Sequence, residues 1–232
     1  MKVALPLLCL ALFLAPAAQA KEKPKDQPLP GDAQYRQALP FLDQARQQIA
    51  GMEKGREAGL APDAAAQPYR DALSANLRQA MPLLDKAARQ KHPVAELRLA
   101  QVLADFAPDE KSQQRVCQLL GDSLKQGFAP AALEAETLCP DLAKQDAFVG
   151  QAEAAARSTR YASYFPQPSH ALGWCQVGRS MSLLAPKGSQ QQYQADINFM
   201  LASKVPQAKR KGYLERAAKL NCSQARQALG KS

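Results

Sequence analysis

The chain has 232 residues and a mass of 25.1 kDa, and its 30 Lys and Arg against 21 Asp and Glu give a formal net charge of +9. Alanine occurs 44 times, whereas valine and isoleucine together occur nine times, too few β-branched residues to stock a sheet of ordinary size. That balance argues against all-β and α/β folds, and the 46% apolar and 22% charged fractions argue against wholesale disorder.

Residues 1–20 read as a secretory signal peptide. Lys2 supplies a short positive region, Val3 to Leu14 is an apolar run too short to span a bilayer, and Ala18-Gln19-Ala20 is a small-x-small cleavage site. Cleavage after Ala20 predicts a soluble protein exported to a bacterial periplasm, with no integral membrane segment left. Lys21 to Asp32, with three lysines and three prolines, reads as an extended flexible linker. Residues 33–232 are then expected to form one helical repeat domain.

The repeat is visible at a fixed offset. Leu83-Leu84-Asp85-Lys86-Ala87-Ala88, with Lys91 and Ala95 following, matches Leu119-Leu120-Gly121-Asp122-Ser123-Leu124, with Gly127 and Ala131 following, 36 residues on. A third copy begins at Tyr213-Leu214 and places Ala217, Ala218, Asn221 and Ala225 in register. A fourth, Arg36 to Ala45, shares R-Q-A-x-P-x-L-D-x-A with Arg78 to Ala87 at an offset of 42. Each unit reads as a helix, a tight stop and a second helix. Leu120, Ser123 and Leu124 share one face at i, i+3, i+4 spacing, and the small residue lets the partner helix approach. Gly127 and Asn221 stand where a left-handed residue ends the first helix; Lys91 is the departure from that pattern. Pro130 suits the first turn of the next helix. The predicted fold is all-α: a short α-solenoid of antiparallel helix pairs.

A unit of about 36 residues ending in a small residue, a glycine and a following alanine (Ser123, Gly127, Ala131) resembles the SLR family, the Sel-one-like branch of tetratricopeptide-type solenoids. Leu84, Ala87 and Ala95 extend the resemblance to the preceding unit.

Without the signal peptide four cysteines remain, Cys117, Cys139, Cys175 and Cys222, an even number for an oxidising compartment. No C-x-x-C pair or suitably spaced histidine points to a metal, and His92 and His170 are expected at the surface. Cys117 and Cys139 lie at equal distances from the turn at Gly127-Phe128, so in an antiparallel pair they face each other. Cys175 then pairs with Cys222 by elimination.

The segment from Arg157 to Trp174 breaks the repeat with Tyr161, Tyr164, Phe165 and Trp174. These aromatics either fill a gap between repeat blocks or anchor a binding surface. From Ile197 to Ser232 eight cations, among them Lys209, Arg210, Lys211 and Arg216, face Glu215 alone. This end is either a solvated basic face or a contact for an acidic protein partner; nucleic acid does not fit an exported protein. No nucleophile elbow, zinc-protease motif or phosphate loop is present, which argues against an enzyme, and no cofactor is expected. Two functions compete. The SLR resemblance implies an immunity protein that neutralises a secreted toxin, such as a type VI secretion lipase effector. The alternative is a scaffold or assembly factor of an envelope, secretion or cell-wall complex.

Overall fold

The computed structural model describes residues 28–107, 109–176 and 182–230; the assigned signal peptide and residues 21–27 of the linker lie outside that set. Helix α1 (Asp32–Glu57) leads through the short α2 (Pro62–Ala66) and a 3-10 turn, Gln67–Tyr69, into α3 (Arg70–Arg89). The start of α1 lies against the end of α3, so the two are antiparallel. A Cβ placed on Gly31 would meet the Ala87 Cα and carbonyl oxygen at 2.9 Å, and the φ of Gly31 is +82°. Glycine is needed here on both counts. Residues 29–32 belong to this contact: Leu29 packs on the core and Asp32 is buried inside α1, which corrects the linker boundary.

Two hairpin units follow, α4 (Pro93–Phe106) after α3, then α5 (Glu110–Lys125) and α6 (Pro130–Leu138). Their first helices stop in the same way. Lys91 N–H donates to Ala88 O and His92 N–H to Ala87 O, Gly127 N–H to Leu124 O and Phe128 N–H to Ser123 O. Asn221 N–H to Ala218 O and Cys222 N–H to Ala217 O repeat the pattern between α10 (Gln207–Lys219) and α11 (Ser223–Gly230). Each is the paired bond set of a Schellman stop, and the left-handed residues are Lys91, Gly127 and Asn221, at φ 62°, 84° and 69°. Lys91 therefore takes the glycine conformation despite its Cβ. The buried small residues Ala87, Ser123 and Ala217 explain why the stop is shared. The carbonyl of each accepts the longer-range bond of the stop, and Ser123 Oγ also donates back to Pro93 O of the preceding unit at 2.8 Å.

The copy at Arg36–Ala45 has no stop. Helix α1 runs twelve residues past Ala45, through Gly51 and Gly55, because the β-branched Ile49 stands at the stop position of Lys91 and no proline restarts the chain there, as Pro93 and Pro130 do elsewhere. Two further helices, α7 (Pro140–Ala143) and α8 (Asp146–Arg157), lead into the irregular segment, and α9 (Gln190–Lys204) resumes the array behind a capping box of Ser189 and Gln192. A sheet was not expected. The described residues hold one two-residue antiparallel pairing, Gln167–Pro168 with Lys187–Gly188.

Both disulfides join the predicted partners. Cys117 and Cys139, 22 residues apart, have Cα atoms 5.6 Å apart, and Cys175 and Cys222, 47 residues apart, have theirs at 4.6 Å. The chain is an all-α, disulfide-stapled helical repeat. Among the described residues no helix is long and apolar enough to cross a membrane.

Candidate functional site

The aromatic segment packs between helices, the first of the two roles open to it, with Tyr161 buried and Tyr164, Phe165 and Trp174 half-buried. Tyr161 is 3% exposed, its hydroxyl donates to Gln126 O at 2.9 Å, and Phe128 meets its ring edge-on. Phe165 lies between Phe128 and Tyr193, with both ring centroids 5.7 Å away. Trp174 packs against the same core. Tyr164 reaches back to the first helix and donates its hydroxyl to Asp32 Oδ1 at 2.9 Å. The physical reason is volume: alanine-rich helices leave a gap where the repeat is interrupted, and large rings fill it.

His92, expected at the surface, is fully buried at the centre of this joint. It follows the left-handed Lys91 and caps α4, its Nδ1 accepting from Ala95 N–H at 3.2 Å. Its proton is therefore on Nε2, which faces Asp32 Oδ1 at 3.5 Å. The ring stacks on Tyr35. Burial lowers the His92 pKa against the pull of Asp32. Burial would raise the Asp32 carboxyl, but hydrogen bonds from Arg36 and Tyr164 outweigh it and hold it low. With Nδ1 committed to a backbone amide, this imidazole relays no proton; it fastens α1 to α4. His170 is exposed as expected.

A second buried titratable group, Glu96, accepts from Gln126 Nε2 at 2.7 Å and is 1% exposed. Burial and the Asp122 charge raise its carboxyl to about 7, against Lys91 and that hydrogen bond. The unfolded carboxyl ionises near 4.5, so the Glu96 contribution to stability falls as pH rises from about 4.5 to about 7 and is flat beyond. Its size is on the order of 3 kcal/mol. Glu96→Gln should therefore gain on the parent chain by that amount between pH 4.5 and 8 in urea titrations, and a pH-independent difference would refute the shift.

The basic end is divided by the structure. Arg216 is already engaged: its Nε donates to Asn198 Oδ1 at 3.0 Å, it pairs with Glu153 at 3.4 Å, and it lies over the Tyr213 ring. This corrects its place in a free basic surface. Lys209, Arg210 and Lys211 are exposed and form no ion pair among the described residues. They crowd the first turns of α10, which holds no acidic residue in its first turn. That end of a helix carries partial positive charge, so three cations there oppose the helix dipole.

A feature that sequence reading missed is a cleft of about 430 Å³ walled by α1, α3, α4, α6 and residues 182–185. Its lining is mostly apolar, including Leu42, Ile49, Leu73, Leu77 and Val102. Phe106 and Leu183, exposed to 44% and 40%, stand on it. Arg98 reaches into it from α4, whose neighbouring positions are almost all apolar. One cation inside that apolar run was the only signal available in the sequence.

Among the described residues no group of three or more His, Cys, Asp or Glu is placed to hold a metal ion. No family model matches the chain, and neither a curated protein nor a solved structure does.

Proposed function

We propose that the protein is an exported binding module that acts stoichiometrically, meeting an acidic protein partner through the first turns of α10. The observation that carries this reading is the placement of Lys209, Arg210 and Lys211. Three exposed cations without an ion pair among the described residues, set against the dipole of their own helix, do not serve the fold. An anionic surface would relieve both the dipole conflict and their mutual repulsion. The disulfides favour export, since such bonds persist in oxidising compartments such as the periplasm. With the signal-like segment and the SLR resemblance, the reading narrows to an immunity protein that neutralises a secreted toxin, a type VI lipase effector being the best candidate.

Pull-down from a periplasmic extract tests it. The mature chain should capture an acidic protein in equimolar amount, and the triple variant Lys209→Glu, Arg210→Glu, Lys211→Glu should lose most of that capture. The same variant should be unchanged or up to about 1 kcal/mol more stable, because acidic residues suit a helix N-terminus. Equal capture by both chains would sink the proposal.

A further inference from the structure

We propose that the cleft between α1, α3, α4 and α6 binds a long-chain aliphatic carboxylate, its head on the Arg98 guanidinium and its tail along Leu42, Ile49, Leu73 and Leu77. The head is argued from Arg98. Among the described residues its buried Nε has no hydrogen-bond partner, and Nη1 donates to Gln101 Oε1 at 3.2 Å. Among the described residues no carboxylate pairs with it. Gln101 is in turn fixed, its Nε2 donating to Glu134 Oε1 at 2.7 Å and to Pro168 O at 2.8 Å. The guanidinium is thus held by one printed bond and keeps a donor that the fold leaves unsatisfied, so a carboxylate on its cleft side would supply a charge-assisted acceptor. An unpaired buried cation is costly, so an anion is the complement the site lacks.

The charges around the cleft leave room for that anion. Burial raises the Glu134 carboxyl, and its Oε1 accepts from Gln101 and not from Arg98. Arg46, whose Nη1 donates to Ala185 O at 2.7 Å, adds a second cation, and burial raises both carboxyls on the lining, Glu134 and Asp105.

The tail follows from what else the lining offers. A peptide would bring one N–H and one C=O per residue, each needing a partner in a mostly apolar groove. Gln101 and Arg46 already spend donors on the protein itself. An alkyl chain makes no such demand. From Leu42 to Met52 the α1 wall runs about 15 Å, the length of roughly ten to twelve carbons. Phe106 and Leu183 would then be covered by its far end. The site shares no residue with the α10 face and does not rest on it.

Calorimetric titration of the delipidated mature chain with dodecanoate and, separately, 1-dodecanol tests the proposal. Dodecanoate should bind one to one and about tenfold or more tighter than the alcohol, the margin expected of a charge-assisted hydrogen bond. Arg98→Met should erase that margin, with a melting temperature equal to or above the parent's showing it folded. If that variant fails to fold, the comparison of acid with alcohol on the parent chain decides alone. Equal binding of acid and alcohol, absence of saturable dodecanoate binding, or displacement of dodecanoate by an apolar peptide with a free C-terminus would overturn it.

Discussion

Truncating Phe128 to alanine should cost about 3–5 kcal/mol of unfolding free energy, the range for a large aromatic removed from a packed core. Phe128 is fully buried and sits directly after the left-handed Gly127, where α5 ends and α6 begins. Its ring touches Tyr161 at 5.5 Å and Phe165 at 5.7 Å between centroids, so it joins a repeat unit to the irregular segment. Losing it leaves a cavity facing two rings that cannot both collapse into it. For a domain of this length the melting temperature should fall by roughly 10 °C. Phe106→Ala, at 44% exposure, is the matched control and should change stability by less than about 0.5 kcal/mol. Equal losses for the two variants would mean that the aromatic segment is not core.

Replacing Cys175 and Cys222 together by alanine should cost about 4 kcal/mol, most of it through a less restricted unfolded chain. The bond closes 47 residues, against 22 for Cys117–Cys139, which should contribute about 3 kcal/mol on the same argument. The folded loop has other ties. Gly173 and Cys175 N–H donate to the Asp196 carboxylate at 2.7 and 2.8 Å, and Ser223 Oγ donates to Cys175 O at 2.7 Å. Those bonds should keep residues 171–176 in place without the disulfide, so the loss is a property of the unfolded state. Urea unfolding of the oxidised chains measures it, and a loss under about 1 kcal/mol would show that the bond does not restrict the unfolded chain as argued.

The repeat was legible because the same stop chemistry recurs at one internal spacing: a small residue, then four positions on a residue tolerant of positive φ. Lys91 shows the limit of that reading. Its identity disfavours the left-handed turn, and the surrounding contacts impose it, helped by a 3.1 Å pair between its Nζ and Asp122. The disulfides were legible for a geometric reason, since equal distances from a turn place Cys117 opposite Cys139. The copy at Arg36 misled because sequence identity over one helix face says nothing about where the helix ends. His92 misled because a lone polar residue between Lys91 and Pro93 reads as loop surface, whereas its ring is the cap of α4. The aromatic segment was ambiguous in principle, because tyrosine and tryptophan serve cores and interfaces equally well. Beyond Arg98 in its apolar run the cleft had no local signature: its walls come from residues 42 to 185, and only folding brings Arg98, Leu73 and Leu183 to one place.

The central proposal is that function resides in electrostatic contact at the start of α10 while the rings from Tyr161 to Trp174 hold the array together. Stopped-flow association of the chain from Lys21 onward with its captured partner, at ionic strengths from about 0.01 to 1 M, tests it most directly, because the screening length falls from about 30 to 3 Å over that range. The proposal predicts an association rate that drops steeply with salt, a triple glutamate variant that is slow throughout, and convergence of the two at high salt while dissociation changes little. An association rate independent of salt, or identical for the parent and the triple variant, would contradict it.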